Sequence, residues 1–143
     1  MFAGQDRNQL RRMFFNVWRK QHGLVVMEPL EKLIAEIIRQ HPEYHEVLNN
    51  QESSLERDYL PEVGQTNPFL HMSMHIAIHE QLASQRPAGI VEVFRSLTTR
   101  LDDAHEAEHR MMECLAEMLW QAQRDATLPD EGIYMENLRK LVT

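Results

Sequence analysis

The chain has 143 residues, 43% of them hydrophobic and 26% charged, with 15 Lys and Arg against 22 Asp and Glu and a formal net charge of −7 with histidines neutral. That balance suits one globular domain with its own core, excludes a disordered segment, and repels phosphate backbones, so no nucleic acid partner is expected. Cys114 is the single cysteine, which excludes an internal disulfide and a thiolate-rich metal site, and no leader-like start or run of roughly 18 apolar residues is present, so a cytoplasmic protein without a membrane anchor is expected.

The first helix is expected to open at Asp6, with Gln9 reaching back from the third helical position. Leu10, Met13, Phe14, Val17 and Trp18 form its apolar stripe, and Gly23 suits a left-handed stop. Arg7, Arg11, Arg12, Arg19 and Lys20 read as its solvated face. After a short apolar crossing, Leu24 to Met27, Pro29 fits the first turn of a second helix with Leu30, Ile34, Ile37, His41, Tyr44 and Leu48 on one face. Pro42 removes a donor and disfavours helical geometry at His41, so this run kinks there or ends and restarts.

Residues 49–66 are polar, contain Pro61 and Gly64, and read as a long connecting loop. Asn67 caps a third helix from Phe69 to about Ser84, with Pro68 in the first turn. From Ile90 to Ala122 one stripe stays in phase, either as one helix or as two, and a bend or break is expected near Arg100 to Asp103, where Asp103 and Glu106 offer a capping box. Pro129-Asp130 starts a last helix expected to dock Ile133, Leu138 and Leu141. The fold class is all-α: a single-domain helical bundle of four to six helices over residues 1–143.

The histidines carry the chemistry. Seven of eight fall into three groups, His41 and His45; His71, His75 and His79; His105 and His109, with neighbours four positions apart in each. Random placement gives about 0.4 such pairs, against four here. Spacing of four stacks two imidazoles one turn apart, where both reach one cation. Zinc and other late first-row metals accept imidazole nitrogen. His71, His75, His105 and Glu108 lie within the apolar arcs of their helices and His109 at a margin. A carboxylate among Leu101, Met112 and Leu115 needs a cation, a proton or a metal. The candidate metal ligands are therefore His71, His75, His105, Glu108 and His109, with His41 and His45 added where Pro42 permits. The implied cofactor is a divalent transition metal, zinc or iron. His79 and His22 are left out, Met72, Met74, Met111 and Met112 read as core, and Cys114 projects roughly opposite His105. No residue is assigned a catalytic role.

The strings Asn67-Pro68-Phe69-Leu70-His71-Met72 with His75, Glu80 and Gln81, Glu108-His109-Arg110-Met111-Met112-Glu113-Cys114-Leu115, Trp120-Gln121-Ala122-Gln123-Arg124 and His41-Pro42-Glu43-Tyr44-His45 resemble an uncharacterised bacterial, proteobacterial family classed only as a domain of unknown function. That resemblance implies no reaction. A looser likeness is to metal-binding helical bundles of the hemerythrin and DinB type, although the spacings between groups and the missing HxxxE on the second helix depart from the hemerythrin pattern. Two functions stand side by side. In the first, a core metal site serves a metal-dependent hydrolase or transferase, or is structural. In the second, a non-enzymatic interaction or scaffold protein carries a buried His/Glu network without metal, with an unidentified protein or small molecule as partner.

Overall fold

Proline and acidic or amide caps set most of the helix starts. The computed structural model describes residues 4–23, 25–55, 57–59 and 66–143, with side chains from Arg7 onward. Met1 to Ala3, Leu24 of the expected crossing, and Pro61 and Gly64 of the expected loop lie outside the described residues. Among the described residues, eight α-helices and one 3-10 turn occur and no strand: α1 Gly4–Gln21, α2 Pro29–Arg39, the 3-10 turn Pro42–Tyr44, α3 His45–Asn49, α4 Gln51–Ser54, α5 Pro68–Ser84, α6 Ile90–Leu101, α7 Ala104–Asp125 and α8 Glu131–Lys140. The all-α class holds, and the count exceeds the expected four to six. The surplus is short: α3 and α4 are single turns that a 3.6-residue period cannot register. No helix among the described residues is long and apolar enough to cross a membrane.

The chain divides into two compact units, Met1–Ile76 and Ala77–Thr143, with the boundary inside α5. In the first unit, Phe14, Phe15 and Val17 of α1, Ile34, Ile37 and Ile38 of α2, Leu48 of α3, and Phe69 and Met72 of α5 make one buried cluster. Leu10, Met13 and Trp18 pack at its edge. α1 begins before Asp6, whose side chain lies outside the described residues, so the helix start falls earlier than expected. Gly23 closes α1 with a bond to the Lys20 carbonyl and without the left-handed backbone.

Arg11 departs from the solvated face expected of the basic cluster. Its side chain is buried, and its Nη1 donates to the carbonyls of Ser54, Leu55 and Arg57 at 3.2, 2.9 and 2.7 Å. The guanidinium also lies over the Phe69 ring at 4.9 Å and the Tyr59 ring at 5.6 Å. Backbone that has no helical partner after α4 is thereby satisfied by one cation. Arg7 adds an ion pair to Asp58 at 2.7 Å. The expected loop is thus partly a helical turn, α4, followed by a segment pinned to α1.

In the second unit, α6, α7 and α8 pack on one another. Ile90, Val93, Leu97, Ala107, Met111, Met112, Leu115, Tyr134, Met135 and Leu138 are buried. The α6–α7 stripe breaks where expected: Asp102 takes a left-handed backbone, φ 52°, and Asp103 accepts the Glu106 amide. Gly89 precedes α6 with φ 95°, and a Cβ there would stand 3.2 Å from Arg139 Nη2. Asp130 caps α8 by accepting the Ile133 amide. Tyr134 and Met135 bury with Leu138, whereas Ile133 is exposed, contrary to expectation.

Candidate metal centre

The imidazoles of the first unit are placed by the end of α2. Pro42 holds His41 out of helical geometry, φ −126° and ψ 64°, so α2 stops, with the His41 amide turned to the Ile38 carbonyl at 3.0 Å rather than to that of Ile37. Two imidazoles also meet these last carbonyls. Ile37 O accepts from His41 Nδ1 at 2.7 Å, and Ile38 O accepts from His45 Nε2 at 2.9 Å. A carbonyl only accepts, so each contacting nitrogen carries the proton, and in the neutral rings the lone pair falls on Nε2 of His41 and Nδ1 of His45.

The two rings then part. His45 packs on Trp18, centroids 4.7 Å apart, and Trp18 Nε1 donates to Asn49 Oδ1 at 2.8 Å. His41 turns to α5, where Asn67 Oδ1 caps the amides of Phe69 and Leu70 as expected. Its ring centroid lies 5.0 Å from His71 and 4.7 Å from His75, and those two are 5.0 Å apart with Nε2 atoms at 3.3 Å. His41 and His75 are fully buried. Tyr44 stacks on His41, and its ring lies 6.0 Å from His71. Burial, then Glu43, raises the Tyr44 phenol above its ordinary pKa.

The second unit holds the remaining candidates. His105 and His109, one turn apart on α7, have ring centroids 4.3 Å apart. His109 Nδ1 stands 3.5 Å from Glu106, whose carboxyl is held below its ordinary pKa by the Arg110 hydrogen bond and, after the opposing effect of burial, by His109. Buried Glu108 lies 2.9 Å from His79 Nε2. His79 is the residue that sequence reasoning set aside. Its place as third member of the His71, His75, His79 ladder was the available signal. Cys114 is half-buried, and burial, then Glu113, raises its thiol pKa, so it is no activated thiolate.

A separate cleft of about 410 Å3 in the second unit is lined by Glu80, Gln81, Arg86, Glu131 and Tyr134, among others. Tyr134 donates to Gln81 Oε1 at 2.7 Å. Burial, then Cys114, raises its pKa far above the ordinary value, against a smaller opposing effect of the Gln81 bond. The unfolded chain, with a tyrosine pKa of about 10, therefore ionises first as pH rises. Stability from this group is complete below pH ~10 and is lost above it. Urea denaturation between pH 8 and 11 is expected to show a shallower alkaline loss in Tyr134→Phe than in the parent. Identical slopes would remove Tyr134 as the cause.

This helical array, with histidines from both units and no nucleotide or nucleophile motif, matches a family model described as "Domain of unknown function (DUF1841)" over residues 6–140. The chain belongs to that family. No curated protein and no solved structure shows significant similarity to it. The DUF1841 match runs from the first turns of α1 to the end of α8 and includes all eight histidines. Its description names no reaction.

Proposed function

We propose that this protein binds a divalent transition metal, zinc or iron, through its paired histidines. In the first unit, His41, His71 and His75 each offer one ring nitrogen to the proposed ion. In the second unit, His105 and His109, one turn apart on α7, are a further candidate pair, and Glu108 faces His79. His45, held by Ile38 and Trp18, stays outside this set. The observation that carries the reading is the convergence of His41, His71 and His75 within one unit, with one lone pair fixed on Nε2 of His41.

Where the ligands leave one coordination position to water, the metal lowers the pKa of that water toward neutrality, and hydrolysis or group transfer becomes the available chemistry. Where they fill every position, the metal is structural and its binding energy adds to folding. The likeness to hemerythrin and DinB-type bundles, and a bacterial cytoplasmic setting, belong to this proposal. A second reading is a scaffold with a metal-free polar network, favoured by the His79 to Glu108 contact, which brings the two groups together without an ion.

Metal content per chain in paired variants tests the assignment. His41→Ala with His75→Ala is expected to reduce a stoichiometric metal to background, and His105→Ala with His109→Ala tests the α7 pair separately. A pair whose loss leaves the content unchanged is not part of the site, and undiminished content in both rejects the assignment.

A further inference from the structure

The spacing of the α5 nitrogens bears on which kind of ion is bound, an inference that rests on the metal-binding reading above. His71 Nε2 and His75 Nε2 stand 3.3 Å apart. That separation is also within reach of a long N–H to N hydrogen bond between the two rings. It matches the ligand-to-ligand edge of a tetrahedron around zinc, about 3.3–3.4 Å for metal–nitrogen bonds of about 2.0–2.1 Å. Adjacent ligands of an octahedron with the same bonds stand about 2.8–3.0 Å apart.

The placement of the third ring agrees. His41 has its Nδ1 proton committed to Ile37 O, so the neutral ring offers Nε2, and its centroid completes a near-equilateral triangle of 4.7, 5.0 and 5.0 Å with His71 and His75. Rings bound end-on to one tetrahedral ion have centroids about 5 Å apart.

We infer that the His41, His71 and His75 face holds a four-coordinate, tetrahedral ion in an imidazole-rich set, a zinc-class site rather than an octahedral iron-class one. The fixed tautomer of His41 is what a ligand held from its far side by a carbonyl should show.

Cobalt(II) titrated into metal-free, untagged full-length protein tests this. A tetrahedral nitrogen set is expected to give intense blue visible absorption, saturating with added cobalt and abolished by stoichiometric zinc. In His71→Asn and His75→Asn, checked for retained helicity by circular dichroism, the band is expected to be lost. Stoichiometric cobalt uptake with only the weak pink absorption of an octahedral complex would overturn the tetrahedral assignment and leave metal binding intact. Absence of cobalt and zinc uptake would overturn both.

Discussion

Arg11→Ala is expected to be the most destabilising charge-to-neutral exchange in α1, by about 3–5 kcal/mol, because the lost donor is charged and buried and its acceptors are buried or part-buried backbone. Three carbonyls, those of Ser54, Leu55 and Arg57, meet this one guanidinium. Water can resolvate part of them once the segment lifts, which keeps the cost below the sum of three separate bonds. Arg11→Lys retains the charge but replaces a planar fork with a point donor, so it should recover less than half of the loss. Equilibrium denaturation measures the change, and limited proteolysis locates it, with cleavage expected near residues 54–59. A change within about 0.5 kcal/mol, the range of ordinary surface substitutions, would show that Arg11 does not pin this segment.

The second large effect is expected on removing metal. A ligand that binds only the folded chain at a thousand times its dissociation constant stabilises by about 4 kcal/mol, which for a chain of this size is roughly 10 °C or more in Tm. Dialysis against a strong chelator should therefore lower Tm by that order, and added zinc should restore it. The His41→Ala, His75→Ala double variant should melt near the chelated parent and ignore both treatments. Equal melting of native and chelated parent, each with its metal content measured, would favour the metal-free network of His79 and Glu108.

Much of the framework was legible because it is local. Asn67, Asp103 and Asp130 cap the helices that their positions indicate, and Pro42 ends α2 within two residues of the apolar face it interrupts. The histidine pairs were legible for the same reason, as spacing of four is a property of one helix. What escaped depends on partners distant in sequence. Arg11 reads as one more basic residue on α1, since its acceptors are carbonyls 43 to 46 residues away, and carbonyls carry no sequence signature. His45 shares a spacing with His41 but not a face, because the 3-10 turn after Pro42 rotates it onto Trp18. The pairing of His79 with Glu108 joins α5 to α7, and an edge position on a helical wheel does not reveal it.

Metal content per chain, by elemental analysis of untagged protein purified without chelator and again after reconstitution with zinc, tests the central claim most directly. The account predicts a stoichiometric transition metal. Background content in both preparations would contradict it and leave the histidines as a hydrogen-bonded core.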